Sequence, residues 1–143
     1  MPTRSSDGRE LLVDTSVAVA LVVGDHEHHD VTLEAVANRR LGLAGHAAFE
    51  TFSVLTRLPP PARRTPSAVA RMLASDFPAT RFLSAGAATG LLDRFVSNRV
   101  AGGSVYDALV GAAAAEHGLT LITRDRRALE TYRRLDVHVD MLA

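Results

Sequence analysis

Between Leu11 and Val23 the chain reads LLVDTSVAVALVV, two aliphatic blocks with a single acid, Asp14, set between them. The first block is too short for a helix and suits a buried parallel strand. Asp14 and Thr15 are good helix starters, and Val17 to Val23, closed by Gly24, reads as a short helix. A buried strand that runs straight into a helix is the first half of a βαβ unit. The opening stretch therefore already restricts the chain to an alternating α/β design.

The alternation continues downstream. A helix is expected from about Glu27 to Arg39, a strand over Leu41 to Ala44, and a helix from His46 to Leu58 that the run Pro59 to Ala62 terminates. Thr65-Pro66 opens a further helix, with proline at a tolerated early position. Arg81 to Leu83 reads as a third strand and Gly86 to Asn98 as a helix. Gly102-Gly103 is a turn before Ser104 caps a helix to about His117. Gly118 stops that helix, Leu119 to Thr123 is the clearest strand, Asp125 opens a last short helix, and Val137 to Val139 is a terminal edge strand. The pattern predicts an open parallel sheet in one domain over residues 1–143, with residues 1–10 as a flexible tail.

Composition narrows the chemistry. Formal net charge is zero, so no global basic field advertises nucleic acid or membrane. All 16 basic residues are arginine, which excludes any mechanism that needs an active-site lysine. Cysteine is absent, and with it thiolate nucleophiles, disulfides and cysteine-built zinc sites. The polar start MPTRSSDGRE has no signal-peptide core, and the longest apolar run, Val17 to Val23, is far short of the ~20 residues that span a bilayer. A cytoplasmic protein without membrane attachment is expected.

Four acids stand out by position. Asp14 directly follows the first strand, Asp125 lies just past the fourth, Glu50 sits about one turn into the helix after the second, and Asp107 is in the first turn of the helix before the fourth. In a right-handed parallel layout, strand C-termini and the N-termini of the flanking helices share one sheet edge, where ligands of open α/β sheets bind. All four acids are thus expected at one place. Each has a structural use as well: Asp14 and Asp125 as helix caps, Ser104 to Asp107 as a capping box, and Glu50 as a first-turn acid favoured by the helix dipole. Taken together, acids in apolar, small-residue surroundings cannot all stay ionised without a cation, and an all-oxygen ligand set suits Mg²⁺ or Mn²⁺.

In order and spacing, LLVDTSV, HAAFETFSVLTRL, GGSVYDALVGAAAAEHG and LTLITRDRRAL resemble the PIN-domain ribonucleases, specifically the VapC toxins of type II toxin–antitoxin systems. The resemblance implies a three-layer α/β/α fold with a parallel sheet of about five strands. It makes Asp14, Asp107 and Asp125 metal ligands and Glu50 a catalytic acid, with Ser16 and Thr123 as supporting hydroxyls. It implies hydrolysis of RNA phosphodiester bonds with Mg²⁺, Mn²⁺ being a substitute, and a cognate antitoxin whose C-terminal segment blocks the acidic pocket. Apolar faces around Phe49, Phe52 and Leu55, or around Leu91, Leu92 and Phe95, are candidates for that peptide or for a second subunit, and a homodimer is expected.

Phosphate contacts are expected from Arg124, Arg126 and Arg57, with Arg127, Arg63 and Arg64 close by. The tract DHEHHD places His26 and His29 at helical spacing without a further ligand and reads as a solvated loop and helix start. Other acid-after-strand designs fit less well. An adhesion module of the D-x-S-x-S type lacks its second serine, a phosphoacceptor domain would need lysine, and D-x-D phosphatases would need an acid at Ser16. The remaining alternative is a catalytically silent domain of the same fold that only engages a protein or RNA; intact acids at all four positions argue against it.

Overall fold

β1 (Glu10–Val13) lies inside the sheet and is covered on both faces, with Leu12 and Val13 wholly buried. In this computed structural model, which describes residues 10–143, it is followed by α1 (Thr15–Val22), α2 (His29–Ala35), β2 (Arg40–Leu43), α3 (Ala47–Thr56) and α4 (Pro66–Asp76). Then come α5 (Ala85–Asn98), α6 (Ser104–His117), β3 (Leu121–Thr123), α7 (Leu129–Arg134) and β4 (Val139–Met141). Glu10, assigned by the sequence to the N-terminal tail, opens β1 and pairs with Arg81 and Arg40. The rest of that tail lies outside the described residues.

Among the described residues all strand pairs are parallel, in the order β2-β1-β3-β4. Side chains alternate across the strands. Leu12 and Leu121 pack on one face with Leu91, Phe95, Ala108, Ala112 and Tyr132, whereas Leu11, Val13 and Ile122 pack on the other with Val17, Ala18 and Phe77. α5, α6 and α7 thus cover one face, α1 and the end of α4 the other, which gives the expected α/β/α layering. Burial on both faces is why these strands read as unbroken apolar runs.

The sheet has four strands among the described residues rather than about five. Arg81 to Leu83, expected as a strand, makes a single parallel bridge from Arg81 to Ala44. Ser84 then caps α5 by accepting from Ala87 N, so the chain leaves the sheet at once. The terminal strand lies at Val139–Met141, two residues later than expected, because Val137 is taken into the core beside Tyr132. α2 is shorter than the expected span of about Glu27 to Arg39, and Asn38 adopts a left-handed turn before β2. No helix of the described residues is long and apolar enough to cross a membrane.

The chain steps from β1 outward to β2 and later returns on β1's other side as β3. The reversal point lies between the C-terminal ends of β1 and β3, where Val13 is level with Ile122. The next residues beyond that pair are Asp14 and Thr123.

Candidate active site

Asp14 is the N-cap of α1, and its carboxylate accepts from four protein donors. Oδ1 accepts from Ser16 Oγ at 2.5 Å and Val17 N at 3.3 Å; Oδ2 accepts from Thr123 Oγ1 at 2.5 Å and Tyr132 OH at 3.0 Å. A carboxylate offers about four lone-pair sites, so this one is saturated by the protein. Burial pushes the Asp14 carboxyl above its ordinary range, against the pull of these four hydrogen bonds. The two expected hydroxyls continue the network. Ser16 Oγ accepts from Arg124 N at 2.9 Å and Thr123 Oγ1 from Asp125 N at 3.0 Å, so one chain of hydrogen bonds locks the β3 exit to the β1 exit.

Asp107 is in the first turn of α6, but the capping box read from Ser104 to Asp107 does not form. Gly103 occupies the cap position, and the Ser104 hydroxyl turns back to donate to Ala101 O at 2.7 Å. Asp107 is left without a hydrogen bond among the described residues and points to the other acids. Burial, then the charges of Asp125, Glu50 and Asp14, push its carboxyl up to about 6, with Arg127 pulling the other way.

Glu50 and Asp125 complete the group. Glu50, one turn into α3, faces His46 Nε2 at 3.5 Å. Asp125 does not cap α7. Its Oδ1 accepts from Arg127 N at 2.9 Å, closing a turn, with Arg127 Nε at 3.4 Å. Asp14, Glu50, Asp107 and Asp125 together line one small recess of about 50 Å³, with Ser16 and Tyr132 in its wall. The recess opens into a cleft of about 790 Å³ bounded by His46, Glu50, Arg57, Tyr106, Asp107 and Arg127.

The donor chemistry fits a hard divalent cation: oxygen only, several carboxylates, and one of them, Asp107, pushed up by burial and by its neighbours' charge. As the side chains stand, no three acids or histidines among the described residues are spaced to close on one ion. Asp107 has open lone pairs, whereas Asp14 would have to exchange a hydroxyl donor to join.

The expected arginines divide. Arg57 lines the cleft, and so does Arg127, whose guanidinium is almost fully exposed. Arg126 is exposed beside them, while Arg124 reaches away to Thr32 Oγ1 at 3.4 Å. Arg64 clasps Val22 O, and Arg63 donates to Leu58 O. The histidine tract does not converge: His29 Nδ1 is 2.9 Å from Ala20 O, and His26 Nδ1 accepts from His28 N. Of the two apolar faces, Leu55, Leu91 and Phe95 are core, whereas Phe49 and Leu92 are exposed.

Sequence reasoning missed Tyr132, His46 and Tyr106. A tyrosine on the last helix carries no spacing signal toward an acid 118 positions away. The other two carried one, since each lies within four residues of a cleft acid, His46 as the N-cap of α3 and Tyr106 on α6.

The PIN domain model matches residues 11–134 of this chain. The chain is 46% identical to Ribonuclease VapC27 of Mycobacterium tuberculosis (strain ATCC 25618 / H37Rv) over 133 residues, 93% of this chain and 97% of the relative. It is 48% identical to Ribonuclease VapC40 of Mycobacterium tuberculosis (strain CDC 1551 / Oshkosh) over 131 residues, 90% of this chain and 96% of the relative. With its acids gathered at the reversal point of a parallel sheet, and with likeness running over nearly its whole length, the chain belongs to the PIN-domain family, on the branch of the VapC ribonucleases.

Proposed function

We propose that this protein is a metal-dependent endoribonuclease, the toxin of a type II toxin–antitoxin pair, which hydrolyses RNA phosphodiester bonds and is restrained by a cognate antitoxin. The observation that carries the reading is the gathering of Asp14, Glu50, Asp107 and Asp125 around one recess that opens into a cleft edged by Arg57 and Arg127. A silent binding module has no use for a carboxyl such as Asp107, which is half-buried against like charge and takes no hydrogen bond among the described residues.

Asp14, Asp107 and Asp125 are the residues that would hold Mg²⁺, with Mn²⁺ as a substitute. When bound, the ion supplies charge neutralisation at the scissile phosphate and acidifies water. Glu50 orients the attacking water and takes its proton, with His46 beside it. Asp14 fixes the relative position of the β1 and β3 exits through Ser16 and Thr123, and of α7 through Tyr132, so that Asp125 just past the β3 exit lines the same recess. Arg57 and Arg127 contact RNA phosphates on either side of the acids, and the more distant Arg126 adds to the same field. A homodimer would use the exposed aliphatic stripe of α5, where Leu92 and Val96 are 70% and 81% exposed.

The test is cleavage of structured RNAs by the purified chain, stripped of antitoxin, in Mg²⁺ and in EDTA, with sequencing of the fragment ends. Discrete ends in Mg²⁺ that vanish in EDTA and in Asp107→Asn are expected. Cleavage that survives EDTA, or that Asp107→Asn retains, rejects the assignment.

A further inference from the structure

Each exposed aromatic residue on the helices flanking the recess immediately precedes one of its acids: Phe49 before Glu50 on α3, and Tyr106 before Asp107 on α6. Consecutive helical side chains diverge by about 100°, so the acid enters the recess while the ring stands on its rim. The rings form a continuous row. Tyr106 stacks on His46 with centroids 5.3 Å apart and planes 26° from parallel; His46 lies 6.5 Å from Phe49, and Phe49 5.7 Å from Phe82. Phe49, Phe82 and Tyr106 are 63%, 51% and 54% exposed. Three large aromatics left this open do nothing for the core.

We propose that Tyr106, His46, Phe49 and Phe82 are a stacking ledge for unpaired bases of the RNA strand whose phosphate lies at the acids. The inference rests on the ribonuclease reading above and adds the residues of this chain that would hold the unpaired bases beside the scissile phosphate. Every base has a π-face, but a duplex hides those faces in its own stack, so only unpaired bases can use protein rings. His46 and Tyr106 line the cleft together with Arg57 and Arg127, and Phe49 and Phe82 extend the row beyond it; the arginines supply the backbone contacts that such sites combine with rings. Its members are aromatic throughout, and His46 and Tyr106 carry polar edges. A partner helix would find its aliphatic counterpart on α5 instead, at Leu92 and Val96.

The test uses the full chain free of antitoxin and two RNAs, a hairpin with a long unpaired loop and its fully paired counterpart, the loop carrying 2-aminopurine to report stacking. The variants are Phe49→Leu and Tyr106→Leu, with Tyr106→Trp as the conservative control and circular dichroism as the check on folding. The wild type should cut the loop, spare the duplex and quench the fluorophore. Each leucine variant should raise KM about tenfold or more, the loss typical of one base–ring stack, with kcat within about threefold and quenching lost; tryptophan should restore both. Leucine variants with wild-type KM, or equal cutting of duplex and loop, overturn the ledge while leaving the ribonuclease reading intact. Wild-type protein that cuts neither RNA overturns both. Leucine variants that lose binding to a protein partner at unchanged RNA KM assign the ledge to that partner and overturn it as an RNA site.

Discussion

The hydroxyl of Tyr132, on the last helix, donates to Asp14 Oδ2 at 3.0 Å across 118 positions of sequence. Burial and the neighbouring carboxylate drive its own ionisation far out of range, so it remains a donor at any working pH. Tyr132→Phe keeps the ring and deletes the bond. The expected cost is about 1–2 kcal/mol in urea denaturation, with a several-fold loss of cleavage because α7 no longer holds Asp14. An unchanged midpoint and rate would show that the bond does not matter.

Asp14 and Asp107 should separate fold from function. Both Asn variants are expected to abolish cleavage. Asp14→Asn also turns one of the two accepting oxygens into an NH₂ donor, which strands two of the four protein donors, and should lower stability by about 2 kcal/mol. Asp107→Asn removes a charge that three other acids repel, and should raise the metal-free Tm by roughly 3 °C, for about 1 kcal/mol after solvent screening. Calorimetry of both proteins in EDTA decides it. A lowered Tm in Asp107→Asn contradicts the electrostatic account.

The pH dependence follows from the same residue. The Asp107 carboxyl is raised from 3.8 to about 6 in the folded chain, mainly by burial. A raised acid costs nothing while protonated in both states and its full penalty once ionised in both. Its destabilisation is therefore absent below about pH 4 and complete above about pH 6. Denaturation of wild type against Asp107→Asn at a series of pH values should show no gap at pH 4 and a gap that opens toward pH 6. A constant gap contradicts the shift.

Metal should stabilise as well as activate. Under the proposed ligation, Mg²⁺ at about 100 times its Kd adds roughly 2.7 kcal/mol. The gain should fall away below pH 6, where protons compete for Asp107. Thermal scans with Mg²⁺, with Mn²⁺ and with EDTA at pH 7.5 and pH 5 measure it. A stabilisation equal at both pH values argues against Asp107 as a ligand.

Gly111 on α6 offers a test from outside the site. A methyl group there would stand 2.9 Å from Tyr132 Cδ1 and 3.0 Å from Val137 Cγ2. Gly111→Ala should displace the tyrosine ring, cost about 1–3 kcal/mol of overpacking and reduce cleavage along with Tyr132→Phe. In the double variant the two activity losses should not add, because both act through one bond.

The layering and the common location of the acids were legible because both follow from order along the chain. Leu11 to Val13 and Leu121 to Thr123 are buried on two sides and read as apolar runs, and an acid after such a run must lie at the strand's exit. The extra strand at Arg81 was misread because one bridge to Ala44 leaves the same local composition as a true strand. The Ser104 cap was misread because Gly103 took the cap position, a choice of backbone rather than of side chain. Tyr132 and the His46–Tyr106 stack were invisible for another reason. They depend on which helix faces which, and that is settled by three-dimensional packing.

The carboxylates of the recess are bound to the fold in unequal ways. Asp14 caps a helix and ties together β1, β3 and α7, whereas Asp107 takes no hydrogen bond among the described residues and sits against three like charges. Descendants of this chain that abandon catalysis would therefore gain by shedding Asp107 and lose by shedding Asp14. The order in which the acids disappear from inactive lineages should record which of them served chemistry alone.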